Sequence, residues 1–215
     1  MLALPMMAFG VGCRSGGARS DTDIAEASGV RVEAEGCQVG PAVGAGSYVA
    51  PGRVLTVAHV VAGSTEVDVV QQDGTEHQAI VVALDRKKDL ALLSVASSNI
   101  APLEVGNMRS GTRGVLVVWR HGKPLPIAFI AKSVVDINAA DIDNGSSTLR
   151  RGYRIDAHIE PGDSGSVLVA KGAAVAVVFA RSTAQPDHAW ATDIAEAAPL
   201  ISHAGDTEVD TGHCP

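Results

Sequence analysis

The sequence predicts an all-β protein, and three observations carry that reading. After about residue 28 the chain is a succession of short apolar runs separated by Gly, Pro, Asp and Asn. No 3.6-residue periodicity is sustained before residue 193. The runs at 46–50, 53–58, 67–71, 77–84, 90–95, 114–119, 125–137, 153–159, 166–170, 173–181 and 189–192 are short and numerous, which suits two closed barrels better than one open sheet with long exposed edges. The polar, Gly- and Ser-containing stretch 138–152 (NAADIDNGSSTLRRG) predicts an exposed loop between strands. Asp193-Ile-Ala-Glu196 predicts the start of a closing helix running to about His203, with Asp193 as N-cap and Glu196 in the capping-box position.

A chain of 215 residues with 46% hydrophobic composition can bury a substantial core as a single domain. A net charge of −7 without a basic cluster argues against nucleic acid or an anionic membrane surface as the main partner. Residues 1–13, MLALPMMAFGVGC, form an apolar run of signal-peptide length, too short to span a bilayer. No Lys or Arg precedes Arg14, so the positive start of a secretory signal is missing. Gly12-Cys13 followed by a polar stretch resembles the lipidation site of bacterial lipoproteins, although Gly10 stands where a Leu-like residue is expected. Lipidation at Cys13, simple cleavage and a disordered leader are the three readings. The expected division is a leader and polar linker over 1–28 and one folded domain over 29–215. Cys37 and Cys214 remain for pairing; in an exported protein a disulfide between them would close nearly the whole domain, the alternative being two free or buried thiols.

Hydrolysis of an amide needs a nucleophile, a base for its proton, and donors aimed at the developing oxyanion. Glu160-Pro161-Gly162-Asp163-Ser164-Gly165-Ser166 sets a hydroxyl in a glycine-flanked turn, where Gly162 can adopt an unusual backbone and aim its N–H inward beside that of Ser164. Val54-Leu55-Thr56-Val57-Ala58-His59 ends an apolar strand on a histidine suited to act as base. Lys87-Lys88-Asp89-Leu90-Ala91 places a carboxylate at the mouth of another buried strand, where it can accept from the His59 ring. Taken singly, each has a plain structural explanation: a Gly-rich turn, a satisfied core histidine, a turn aspartate. Their joint occurrence in the order His, Asp, Ser favours chemistry.

With these residues in hand, TVAHVV, DLALL and GDSGS resemble the three triad motifs of the trypsin-like, chymotrypsin-fold serine proteases over residues 37–214. The compact spacing resembles bacterial members such as the HtrA-like proteases. GAGSYVAPGRVLTVAHVVAGS, YRIDAHIEPGDSGS, VAVVF and the terminal cysteine resemble the actinobacterial envelope proteases of the MarP type. The resemblance implies two perpendicular six-stranded β-barrels, a triad of His59, Asp89 and Ser164 in the cleft between them, and Gly162 and Ser164 as oxyanion donors. It also implies a Cys37–Cys214 disulfide, export, and a substrate backbone lying along Val178, Phe179 and Ala180. His158, six residues before Ser164, falls at the pocket floor by this analogy, an outward-facing strand residue being the other reading. Ala180 stands where many relatives have Gly, and Ser166 where Gly usually follows the GDSG sequence. MarP-type proteins carry transmembrane helices ahead of the protease, a role that anchoring by Cys13 would take here.

Two functions follow as expectations: a serine endopeptidase acting on envelope or extracellular proteins, or a catalytically silent protease-fold lipoprotein that binds partners. An α/β-hydrolase is excluded by the His, Asp, Ser order and by the lack of alternating strands and helices. The seven histidines show no metal-ligand spacing and no cofactor fingerprint occurs, so neither metal nor cofactor is expected. No Ile-Val-Gly-Gly start occurs within the chain, so Asp163 needs a partner other than a freed amine.

Overall fold

The computed structural model describes residues 19–37, 40–96, 98–140, 142–143 and 145–215. The apolar leader and Cys13 lie outside them. Among the described residues no helix is long and apolar enough to cross a membrane.

The first barrel is built from β1 (Gly29–Glu35), β2 (Ala42–Ala50), β3 (Arg53–Thr56), β4 (Glu66–Val70), β5 (Glu76–Asp85) and β6 (Leu90–Val95), closed in the order β1-β2-β3-β6-β5-β4. The second sheet holds β7 (Glu104–Val105), β8 (Arg113–Arg120), β9 (Lys123–Ala140), β10 (Ser147–Asp156), β11 (Val167–Ala170), β12 (Ala173–Arg181) and β13 (His188–Asp193). Its order is β11-β8-β9-β10-β13-β12-β7, and β11 also pairs with β12. That pairing closes six strands on themselves, with β7 added parallel along the start of β12. Closure leaves few unpaired backbone groups at an edge, so the expected two-barrel, all-β architecture is the one observed.

Each barrel is filled by aliphatic side chains on alternate strand positions. In β1, Val30, Val32 and Ala34 are buried while Arg31 and Glu33 lie at the surface and pair with each other. This period of two was present in the sequence but unread, and β1 is absent from the predicted strands. The second barrel is packed with Leu116, Phe129, Tyr153, Ile155 and Leu168. Val117, Val167 and Val177, from the same strands, belong instead to the apolar cluster of the first barrel. The two barrels therefore share a core at their junction.

Other expectations are corrected. Residues 138–152 are largely strand: β9 and β10 pair continuously from Ala140 opposite Ser147 to Val135 opposite Gly152, with a turn at 142–143. A ribbon projecting beyond the barrel needs only its backbone ladder, so its side chains can be polar; Leu149 on it is exposed. Within the stretch read as polar linker, α1 (Asp21–Ser28) is a helix with Ser20 and Asp23 forming a capping box. Asp21 accepts from the Lys171 and Gly172 amides, tying α1 to the β11–β12 turn. Strand 53–58 stops at Thr56, giving way to α2 (Ala58–Val61), and 157–159 lie outside β10. The closing helix begins as a 3-10 turn, Ile194–Ala197, and continues as α3 (Ala198–His203). Asp193 caps it through the Ala195 amide, but Glu196 does not close a box; its carboxylate takes Lys88 Nζ at 2.6 Å and the Arg151 amide at 3.0 Å.

After α3 the tail returns across the first barrel. Val209 N–H donates to the Val81 carbonyl, Gly63 N–H donates to that of Thr211, and Arg86 also donates to Thr211. Cys214 is disulfide-bonded to Cys37. Loss of this bond in the Cys37→Ser/Cys214→Ser variant frees 177 residues of sequence separation in the unfolded chain. Stability should fall by roughly 5 kcal/mol. The expected outcome is a thermal midpoint lower by roughly 10–20 °C, read by calorimetry.

Candidate active site

The site is assembled from three turns. β3 runs into α2, whose second residue is His59. The His59 backbone N–H donates to Asp89 Oδ1 at 2.9 Å, and its ring Nδ1 lies 2.8 Å from Asp89 Oδ2. The carboxylate thus grips both the main chain and the ring of one residue. A proton on Nδ1 donated to Asp89 leaves the Nε2 lone pair facing the cleft, the tautomer that can act as base. Asp89 sits between β5 and β6, in a turn made by Asp85, whose carboxylate accepts from the Lys87 and Lys88 amides at 3.0 and 2.9 Å. It adopts a left-handed conformation, φ 55°, which aspartate tolerates better than most residues, and it is buried.

Ser164 lies in the turn before β11. Two glycines allow that turn, for different reasons. Gly162 has φ 97° with open space where a side chain would stand, so only its backbone conformation calls for glycine. At Gly165, φ is 92° and a Cβ would lie 2.0 Å from the Ala45 carbonyl oxygen, so both conformation and space exclude a side chain. The close approach is used: Ala45 N–H donates to the Ser164 carbonyl at 2.8 Å, and Gly165 N–H donates to the Val178 carbonyl at 2.8 Å. The turn is thereby pinned to β2 of the first barrel and β12 of the second.

The Gly162 and Ser164 amides make no hydrogen bond to another described residue. Both line one cleft with His59, Val60, Val43 and Pro161. Two unclaimed backbone N–H groups beside a serine hydroxyl and an imidazole form an arrangement able to hold an oxyanion. Ser164 Oγ itself bonds to no described residue. In a site without substrate the hydroxyl is free to rotate, and such bonds commonly tighten only on binding.

Sequence reasoning left Asp163 without a partner, and the structure supplies Arg120, at the end of β8. Asp163 is fully buried; Arg120 Nη1 bonds Oδ1, Nη2 lies 2.7 Å from Oδ2, and the Glu160 amide donates to Oδ2 at 2.8 Å. Arg120 Nε also pairs with Glu160 at 3.2 Å. The hydrogen bonds that Arg120 donates to Asp163 raise the Arg120 pKa above the usual arginine range, so the guanidinium stays charged beneath the turn. Nothing local in VLVVWRHG separates this arginine from a surface residue at a strand end.

The remaining residues singled out by resemblance take varied positions. His158 is exposed, its ring nitrogens each 3.3 Å from a carboxylate, Asp187 on one side and Glu160 on the other, so its geometry is that of the outward-facing reading. Val178 is buried and its backbone serves the Ser164 turn, while Phe179 and Ala180 are half-buried at a bulge in the β12–β13 pairing. Ser166 is buried with its hydroxyl donating to the Val117 carbonyl at 2.9 Å, which accounts for a serine where glycine was expected.

Comparison with known proteins finds the chain similar to peptidases. The trypsin-like peptidase domain matches residues 44–177. The serine protease Rv3671c of Mycobacterium tuberculosis is 32% identical over 179 residues, covering 80% of this chain and 44% of that protein. A probable periplasmic serine endoprotease, DegP-like, of Chlamydia pneumoniae is 30% identical over 59% of this chain and 26% of its own length. The chain therefore spans less than half the length of these curated relatives. Among solved structures, the active form of the Rv3671c protease superposes with a TM-score of 0.83 over 100% of this chain and 99% of that one, at 26% identity. Its inactive form gives 0.74 over 86% of this chain and 92% of that one, at 27% identity.

The Arg120–Asp163 pair yields a test. Arg120→Met leaves a buried carboxylate unpaired and should destabilise by about 3–5 kcal/mol. The reactivity of Ser164 toward a fluorophosphonate should fall by about 100-fold or more as the turn loses its support. Replacing both partners, Arg120→Met with Asp163→Leu, should restore most of the thermal stability but not the labelling rate, which separates support of the turn from support of the fold.

Proposed function

The chain belongs to the trypsin-like peptidase family, and on that footing we propose that it is a serine endopeptidase using His59, Asp89 and Ser164. In this reading His59 Nε2 takes the proton of Ser164 as its Oγ attacks the scissile carbonyl. The proton then passes to the leaving amine, and water repeats the sequence on the acyl-enzyme. Asp89 holds the ring in the required tautomer and stabilises the imidazolium that forms. The Gly162 and Ser164 amides receive the oxyanion. The observation that carries the proposal is the pair of unclaimed N–H groups at Gly162 and Ser164 in one cleft with a His59 ring clamped by Asp89. The superposition with the active form of the Rv3671c protease, at a TM-score of 0.83 over 100% of this chain, supports a peptidase fold for the reading.

The substrate backbone would add as a strand along Val178–Ala180. Ala180, larger than glycine at the pocket mouth, favours small residues at the cleaved position, and His158 would act only at the rim. We assign the peptidase domain to 29–215, with α1 packed onto it. The leader supports export, with Cys13 as tether if lipidated and a secreted product if cleaved, and envelope or extracellular proteins as substrates. The unbonded Ser164 hydroxyl is the one observation favouring the alternative, a silent binding module.

One experiment decides between them. The oxidised protein and its Ser164→Ala variant are incubated with a fluorophosphonate probe and with casein. Labelling and cleavage that disappear in the variant establish the endopeptidase; absence of both in the folded, disulfide-bonded protein overturns it in favour of the binding module. In an active protein, Asp89→Asn should lower kcat by roughly 1,000- to 10,000-fold, measured on a peptide substrate, through loss of the correct tautomer.

A further inference from the structure

Arg150 is the only buried Lys or Arg among the described residues, 3% exposed on β10. Its guanidinium carbon stands 4.2 Å from the centre of the Phe179 ring, and Nη1 donates to the Lys88 carbonyl. Its Nε has no acceptor, and no carboxylate forms a salt bridge with it among the described residues. A buried cation without a carboxylate clamp is costly, and a fold retains one where its charge or its grip is needed. The Phe179 face offsets part of that cost. Burial pulls the Arg150 pKa below the usual arginine range, opposed by the negative charges of Asp89, Asp85 and Glu196 in that order.

Two of those three carboxylates are engaged elsewhere. Asp85 holds the turn amides, and Glu196 takes Lys88 Nζ. Asp89 receives the two N–H groups of His59, and Arg150 grips the carbonyl of the residue before it. The same guanidinium stacks on a residue of the strand that pins the Ser164 turn. One side chain of the second barrel thus meets the Asp89 turn of the first and the strand beside the nucleophile.

We propose that Arg150 is a positioning residue for acyl transfer: it holds the Asp89 turn against Phe179 and supplies the positive field that keeps the Asp89 carboxylate an acceptor for His59. This rests on the triad reading above. The charged groups around Arg150 are Asp89 and Asp85 of the β5–β6 turn and Glu196 of the 3-10 turn, the last paired with Lys88. Removing the one buried cation leaves an imidazolium easier to form, so the acid limb of kcat/KM should move to higher pH.

The test compares Arg150→Met, which keeps the bulk and loses the charge, with Arg150→Lys, which keeps the charge and loses the fork. Kinetics are expressed per serine titrated by fluorophosphonate, so misfolded protein does not count. Arg150→Met should lower kcat by roughly 10- to 100-fold with KM little changed. It should also move the acid limb up by about half a pH unit or more. Arg150→Lys should restore the acid limb and most of kcat. A Met variant with wild-type kcat and acid limb per titrated site overturns the proposal, as does a Lys variant whose acid limb shifts with the Met variant's. If Arg150→Met does not fold, Arg150→Gln replaces it and is read the same way: a lower kcat with the acid limb moved up supports the proposal, and wild-type kcat and acid limb overturn it. A wild-type protein whose Ser164 does not label overturns the triad reading itself, and Arg150 falls with it.

Discussion

The buried ion pair between Asp163 and Arg120 is the contact on which the geometry of the cleft rests. A carboxylate with no exposure to water is tolerable only when its charge is met and its lone pairs are filled, and here two guanidinium nitrogens and the Glu160 amide do both. Because Asp163 lies between Gly162 and Ser164, fixing its side chain below the turn fixes which way the flanking amides face. Arg120 is supplied from within the folded chain, on β8, so this arrangement needs no cleavage to create a partner for Asp163. The same arginine touches Glu160, which faces His158, so the surface acidic cluster and the buried turn are joined through one side chain.

The second half of the cleft is organised from the first barrel. α2 is a single turn and cannot hold His59 by its own helix stability. It is held instead by Asp89, through both the amide and the ring, and at its far end by the tail. Gly63 follows α2 at φ 71°, and a Cβ there would lie 2.6 Å from Cys37 Sγ and from the Cys214 amide nitrogen. The disulfide therefore lies directly on the exit of the His59 turn. The covalent closure of the domain and the placement of the imidazole are parts of one local packing problem.

Arg150 and Phe179 extend that logic across the barrel junction. The shared core of Val117, Val167 and Val177 brings the barrels together without direction, since apolar burial has none. Directional groups at the rim of that core then set the register: Ala45 to Ser164, Arg150 to Lys88, and Lys88 to Glu196.

What the sequence by itself determined was whatever has a local signature. Short apolar runs between turn residues marked most strands, Asp193 marked the closing helix, and the turn Gly162–Ser166, His59 after its apolar strand and Asp89 before another marked three components of the candidate site in their chain order. β1 was equally legible in its alternation. The ribbon at 138–152 was not, because a protruding hairpin stabilised by its own ladder carries the polar composition of a loop. Only the tertiary structure decided the partners: Arg120 for Asp163, Glu196 for Lys88, Arg150 for Phe179 and the Lys88 carbonyl. Each joins residues 29 to 108 positions apart. An arginine bound for a buried carboxylate and one bound for solvent are written alike in a linear chain, and they differ only once folding has removed the water around one of them.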